Sequence, residues 1–510
     1  MKQLFFLCLL ALVCCAGTQA QSYREQFEAF DQNARQTYAD FTVRVLRNYA
    51  EFVKQAWESF EASKPVPMPQ DDPLPPVPYE DERKDNQEQE QNREQQQQEE
   101  QQRQEQNEPT PPIEDRPVII EEVIEIPQPQ PAPQPAPQPQ PRVVPKNVVR
   151  FELYGTQMEV RVPDKPLRLT NTKQETIADA IEKLTKGDYT AFIEDCQVLS
   201  QTHHLTDYFY LRLVDAAVCA HLVRQKDEIQ LLKAFILSQS GYKTRLALDE
   251  NKQLLMLFGS DNIIYGRPYW TIEGTYYYAD GDTNGKLRIC NFAFPEEQSF
   301  TLVMDSEPQL TQSPTEERTL AVTDDKRLTV SVAEDMNLIK YLGAYPTSQI
   351  GTNPVSRWAL YANMPLSKQA KEALYPQLRA IIEGLPVADQ LNLLLRWVQK
   401  SLVYEYDDKV WGQDRAFFAD ETLYYPYADC EDRSILFSRL VRDLIGLRVA
   451  LVYYPGHLAT AVEAPSVVKG DHLTIGDSRF LVCDPTYIGA PIGRTMKGMD
   501  NLTAKVIVLE

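Results

Sequence analysis

Apolar residues along this chain fall at two alternating spacings, and each change of spacing marks a change of element. Between 22 and 62, Phe27, Phe30, Ala34, Phe41, Val45, Phe52, Ala56 and Phe60 sit at steps built from threes and fours. That spacing predicts one long amphipathic helix with an aromatic stripe. An isolated helix cannot bury such a stripe, so it is expected to pack on the protein's own body, self-associate or recruit a partner protein. From 148 to 162 the pattern is strand-like, and helical stretches follow at 173–198 and 205–239. Alternating runs at 244–248, 253–258, 269–278, 286–294, 299–304 and 327–333 predict strands; helical periodicity returns at 367–383 and 387–401.

Past Cys430, residues Leu436, Leu440 and Leu444, with Phe437 and Val441 beside them, form an apolar helical face that Gly446 ends as a left-handed cap. A strand over 447–454 leads to Gly456-His457, and a further strand over 479–483 ends at Asp484. Lys233–Leu257 echoes Ser438–Val462, with Gly241 in the place of Gly446. Aligned on those glycines, Gln225 falls where Cys430 lies and Lys252 where His457 lies. Either the first half is a chemically empty copy of the second, or helix–glycine–strand–strand simply recurs.

Periodicity vanishes between 64 and 146. This stretch holds 20 of the 36 prolines and carries 18 acidic against 8 basic residues, about half of the chain's net charge of −21. Such a composition buries too little apolar surface to offset ordering entropy, so a disordered Pro/Gln/Glu-rich tether is expected, with 118–126 a candidate docking strand or helix inside it. The acidic balance argues against nucleic acid as a partner. Met1-Lys2, the apolar run Leu4–Val13 and the ending Thr18-Gln19-Ala20 read as a signal peptide over 1–20. Lipidation at Cys14 or Cys15 is the alternative. No later segment is apolar enough to span a bilayer. Of the eight cysteines, Cys196, Cys219, Cys290, Cys430 and Cys483 remain beyond the signal, an odd number that leaves at least one thiol free or paired between chains. With no C-x-x-C pair and no histidine at zinc spacing, neither metal nor cofactor is expected.

The chemistry concentrates in 427–493. Cys430 at a helix start meets the partial positive charge of first-turn amides, which favours the thiolate. Neighbouring strands would bring His457 as base and Asp484 as the group that orients it, and the Cys430 amide would supply one oxyanion donor. Each residue alone has a plainer role: a packed cysteine, a core histidine, a turn aspartate. His472, the other histidine of this half, sits in a polar stretch after Gly470-Asp471. Cys483 faces the opposite side of its strand from Asp484, as a core residue would. Asp429, Glu431, Asp432 and Arg433 are charged neighbours of Cys430. The acids suit a helix N-terminus with Arg433 as counter-ion, or they select a basic or amine substrate; they also oppose the thiolate.

The D-C-E-D-R-S start, the G-H-x-A-x-A-V strand and the D-P-T ending, in that order, resemble the transglutaminase-like superfamily, closest to secreted bacterial transglutaminase-like cysteine peptidases. The resemblance covers roughly 365–495. It implies an α+β fold with a papain/transglutaminase-like core, a helix packed on an antiparallel sheet, and a triad of Cys430, His457 and Asp484 that transfers acyl groups through a thioester. Trp411 and Gln413 are candidates for the second oxyanion donor, and so is neither. The expected layout is a signal peptide (1–20), a long helix (21–63), a tether (64–146), an α+β domain (147–355) that would be the degenerate copy if there is one, and a catalytic domain (356–510). The expected function is an exported cysteine peptidase or amidase, periplasmic or extracellular and associated with the cell envelope, acting on a peptide or protein substrate. The alternatives are acyl transfer to amines, or a non-catalytic envelope-binding module on the same fold.

Overall fold

The computed structural model describes residues 49–55, 57–69, 78–79, 115–124, 126 and 147–509, apart from 187–188, 282, 284, 295 and 500–503. The expected signal segment, most of the long helix and most of the tether lie outside these residues. Within them the chain is mixed α+β, built on two curved sheets. Five cysteines are described, and all five are unpaired.

The first sheet has six strands in the order Trp57–Phe60, Leu287–Cys290, Thr244–Leu248, Leu254–Ser260, Thr275–Ala279, Tyr269–Ile272. The expected strand over 269–278 is thus two strands turning at Glu273-Gly274, where both residues have positive φ. Four helices precede its central strands, Gln174–Lys186, Thr190–Thr202, Asp207–His221 and Lys226–Gln239, the last of which packs on the sheet, so each of the two long helices read from periodicity divides in two. A hairpin, Asn147–Leu153 with Thr156–Val162, packs on the second and third of these helices. Trp57–Phe60 departs from the expected helix over 22–62, of which 49–53 is helical. The pairing of Trp57 with Cys290 and Phe60 with Leu287 explains the change, since an edge strand with open N–H and C=O groups rewards a neighbour more than helix propensity does.

The second sheet has seven strands in the order Arg116–Pro117, Asp471–Ile475, Ser478–Cys483, His457–Glu463, Val449–Tyr454, Ala504–Val508, Ile120–Ile124. Its five central strands are antiparallel, and the two outermost add in parallel at either edge. Residues 116–124 therefore interrupt the expected tether as built strands. The stretch 118–126, whose composition allows strand or helix, includes the edge strand Ile120–Ile124, with Val118 and Ile124 buried against the sheet. His472 lies on a strand rather than in a polar loop, opposite Leu481.

The helix Cys430–Leu440 packs on the strand His457–Glu463 and on the helices Arg357–Asn363, Val387–Ser401 and Ala419–Tyr424. It continues as a five-residue π-turn to Gly446, whose φ of 77° provides the left-handed stop that a side chain resists. A hairpin of Arg318–Val322 and Asp325–Val332 covers the helices Lys368–Ile382 and Val387–Ser401.

The two halves meet at a buried pair of carboxyls, Glu334 and Asp420, each 1% exposed. Burial and the facing Asp420 push Glu334 well above the usual carboxylate range, and burial raises Asp420 to about 6. Such groups stabilise the fold while protonated, and that contribution is lost as pH rises through their folded values. The melting temperature is expected to fall as pH is raised from about 5 to about 8, and Glu334→Gln should make the slope shallower. Thermal melts of both proteins across that range check it; parallel slopes would show that the pair does not titrate as described.

Candidate active site

Antiparallel pairing of His457–Glu463 with Ser478–Cys483 sets Thr460 opposite Cys483. This register carries His457, at one strand's start, alongside Asp484, just past the other's end. Their side chains meet: His457 Nε2 lies 2.8 Å from Asp484 Oδ2, and both residues are almost wholly buried. Against a carboxylate the ring nitrogen is the donor, so Nε2 carries the proton and Nδ1 is left with its lone pair. His457 Nδ1 is buried and has no hydrogen-bond partner among the described residues.

Asp484 is held on every side. Its Oδ1 accepts the amides of Thr486 and Tyr487 at 2.8 and 3.1 Å. Its carbonyl accepts from Gln399 Nε2 at 3.0 Å, and the same amide group reaches the carbonyls of Tyr487 and Ala490. Gly489 closes the loop by donating to Gln399 Oε1. Gln399 was not singled out from the sequence; its signal was a lone amide side chain at an otherwise apolar helix position.

Cys430 opens its helix after Asp429, whose amide donates to Asp432 Oδ2 at 3.3 Å. Asp432 also accepts the amide of Phe417 at 2.8 Å. Two contacts fasten the helix to the His457 strand: Ser434 Oγ donates to the Leu458 carbonyl at 2.8 Å, and the Leu458 amide points at the Cys430 sulfur. Cys430 and His457 share the wall of one cavity of about 510 Å³, with Trp358, Tyr453, Gly456, Gln413 and Glu431 around them. Trp411, the other oxyanion candidate, instead packs among Phe417, Tyr425 and Arg415. His472 is not part of the cavity lining and lies 3.5 Å from Asp115. Cys483 is fully buried in the core beside Leu481.

The thiol is not in the state the helix start favours. Cys430 Sγ donates to Glu431 Oε2 at 3.2 Å. Burial first, then the charges of Glu431 and Asp429, hold it well above the ordinary cysteine range. Arg433 does not act as the hydrogen-bonded counter-ion of the acids. Its guanidinium is buried and donates to the carbonyls of Ala428, Gln399 and Leu402, which ties the helix to the loop before it. The acids crowd instead. Burial and Glu431 push Asp407 to about 7 and Asp414 to about 8, and they drive Asp429 well above its usual range. Ligand oxygens of Asp407, Asp414 and Glu431 lie within 4.8 Å of one another, and Asp429, Cys430 and Glu431 form a second such group. The three carboxylates of the first group are the hard oxygen donors that calcium-class cations take, whereas the second includes the soft sulfur of Cys430; protons relieve the same repulsion.

Two outcomes are expected. Glu431→Gln removes the carboxylate that holds the thiol proton, so alkylation of Cys430 by iodoacetamide near neutral pH should speed up several-fold, read by mass spectrometry; an unchanged rate would remove Glu431 from that role. Gln399→Ala strands three buried carbonyls and should cost about 2–3 kcal/mol in denaturant unfolding. Searches against protein families, curated proteins and solved structures match nothing, so the site stands on its own geometry.

Proposed function

We propose that this chain is an exported thiol hydrolase of the transglutaminase-like type, cutting peptide or amide bonds with Cys430, His457 and Asp484. The observation that supports the reading most is a buried imidazole whose Nε2 is fixed by a carboxylate while its bare Nδ1 belongs to the residue that shares a cavity with a helix-start cysteine. In this reading His457 Nδ1 takes the thiol proton as sulfur bonds to the substrate carbonyl carbon. The Cys430 amide steadies the oxyanion. The tetrahedral adduct collapses, the C–N bond breaks, and the leaving amine takes the proton from His457. Water then attacks the thioester, gives its proton to His457, and releases the acid and the restored thiol.

The cavity lining points to the kind of substrate. Asp407, Asp408, Asp414, Asp429 and Glu431 stand against Arg357 and Lys409. Asp407, Asp414 and Asp429 hold protons near neutral pH, and a lysine or arginine beside the scissile bond would favour their ionised forms while offsetting the Glu431 charge that raises the Cys430 pKa. Binding of such a substrate therefore activates the nucleophile. The acidic lining also suits an amine as acyl acceptor, which makes transamidation the second reading. The protonated thiol held by Glu431 favours a third, a non-catalytic binding module.

Mass spectrometry of a peptide library incubated with the chain, with and without a diamine, separates the three. Cleavage beside basic residues with free carboxyl ends is expected, lost in Cys430→Ala and His457→Ala. Asp484→Asn should fall by about 10⁴-fold if Asp484 orients the ring as its counterpart does in serine triads. Diamine adducts would mean transfer instead. Turnover that survives in Cys430→Ala, or none with any peptide, would sink the hydrolase.

A further inference from the structure

The two sheets run through the same strand order behind the same kind of helix. In the second half, the helix Cys430–Leu440 and its π-turn reach Gly446, then come the hairpin Val449–Tyr454 and His457–Glu463, the outer hairpin Asp471–Ile475 and Ser478–Cys483, and the returning strand Ala504–Val508. In the first half, the helix Lys226–Gln239 reaches Gly241, also at positive φ. The hairpin Thr244–Leu248 and Leu254–Ser260 follows, then the outer hairpin Tyr269–Ile272 and Thr275–Ala279, and the returning strand Leu287–Cys290. In each, the later strand of the outer hairpin pairs with the later strand of the first hairpin, and the returning strand pairs with the earlier one. All these pairs are antiparallel.

Register makes the comparison residue by residue. Thr460 faces Cys483, and Leu257 faces Ala279. Three residues back along the first-named strands lie His457 and Leu254; one residue past the partners lie Asp484 and Asp280. The helices begin at Cys430 and Lys226, and four residues on, Ser434 donates to the Leu458 carbonyl while Gln230 accepts the Met256 amide. The correspondence is therefore Lys226 and Leu254, not the Gln225 and Lys252 obtained by counting from the glycines. The π-turn adds a residue to one helix, and the loop Asp249–Gln253 is longer than Pro455-Gly456.

We infer that the first half is a second copy of the core whose cleft has lost nucleophile and base and now binds an acidic peptide segment without chemistry. The aspartate is retained. Deprived of an imidazole, Asp280 is clamped between Arg212 and Lys233, and Lys233, with a side chain 3% exposed, also bonds Asp215 at 2.7 Å. Lys226, Leu254 and this network line a cavity of about 1240 Å³ at the place that corresponds to the Cys430 cavity. Its three carboxylates are engaged within the protein: Asp215 by Lys233, Asp280 by Arg212 and Lys233, and Asp227 by the Leu254 amide at 2.9 Å. Lys64, Lys226 and Arg267 on its wall are exposed and make no ion pair among the described residues. A ligand thus meets uncompensated positive charge on an acidic protein. Extended polypeptide fits there, because Ser63–Val66 already lies along one wall, with the Ser63 amide donating to Tyr269 and Val66 accepting from Gly266.

The test is fluorescence anisotropy of a labelled peptide of alternating Glu and Ser, titrated with full-length chain carrying Cys430→Ala so that the probe survives. The outcome does not depend on whether Cys430 is a nucleophile. Expected are binding that weakens with salt, no comparable binding of the Gln-Ser peptide, and a loss of about tenfold or more in Lys226→Glu/Arg267→Glu. The milder pair Lys226→Gln/Arg267→Gln should lose part of that affinity, and melts of both variants show that they fold. Equal binding of the neutral peptide, unchanged affinity in folded charge variants, or no binding of the acidic peptide at low salt would overturn the proposal.

Discussion

A carboxylate buried beside an imidazole is the constraint on which the site depends. Asp484 and His457 are both nearly inaccessible to water, so neither can be left without its partner: an unpaired buried charge costs several kcal/mol. The surroundings are arranged to keep the pair. Two amides occupy the second carboxylate oxygen, Gln399 holds the carbonyl of the same residue, and the register of two strands sets the approach. The tautomer follows from that arrangement, and with it the ring nitrogen that stays free. Everything else at the site is positioned relative to this pair, including the helix, which Ser434 fastens to the residue after His457.

The thiol shows which electrostatic effect wins. A helix N-terminus is worth about 0.3–1 kcal/mol to an anion, less than one pKa unit, whereas burial and adjacent carboxylates move a pKa by up to about 3–5 units. Cys430 has the first effect in its favour and both of the others against it, so its proton stays, shared with Glu431. The neighbouring acids settle the same conflict among themselves by holding protons at Asp407 and Asp414 up to about 7 and 8. A cleft in this state is restrained rather than poised, and charge brought in by a ligand is what would release it.

Local pattern made much of this legible. Helix Val387–Ser401 follows its periodicity residue for residue, and the Cys430 helix with its glycine stop, the His457 strand and the Asp484 strand end stand where spacing puts them. What stayed hidden is non-local. Trp57–Phe60 carries a helical stripe yet lies as a strand because Leu287–Cys290 offers an edge; Ile120–Ile124 is drawn out of a Pro-rich stretch by Ala504–Val508. Arg318–Val322 went unread because its alternation is short and its partner strand follows at once. Arg433 feels the charges of Asp429 and Asp432, as adjacency suggests, but its hydrogen bonds go to the carbonyls of Ala428, Gln399 and Leu402 instead, which adjacency cannot show. Protonation of the acids could not be read at all, since it depends on how many carboxylates the fold brings together.

The net charge of −21 conceals two clefts of different character, and their difference follows from one substitution forcing others. At the strand end of each copy sits an aspartate, Asp484 buried or Asp280 with a side chain 8% exposed, and a carboxylate so largely removed from water needs a cation or a donor beside it. Where histidine gave way to Leu254, that need passed to the helix: Lys233 stands seven residues into its helix, where the other copy has the core residue Phe437. The helix before it, Asp207–His221, supplies a second partner, Arg212; in the other half Gln399 holds the Asp484 carbonyl from Val387–Ser401, with two short helices between it and the Cys430 helix. An aspartate kept without its histidine but rescued by two new cations is hard to explain as a surviving enzyme and hard to explain as chance. On the proposed reading of Cys430, His457 and Asp484, it is what remains when such a triad is taken apart while the fold around it has to stay stable.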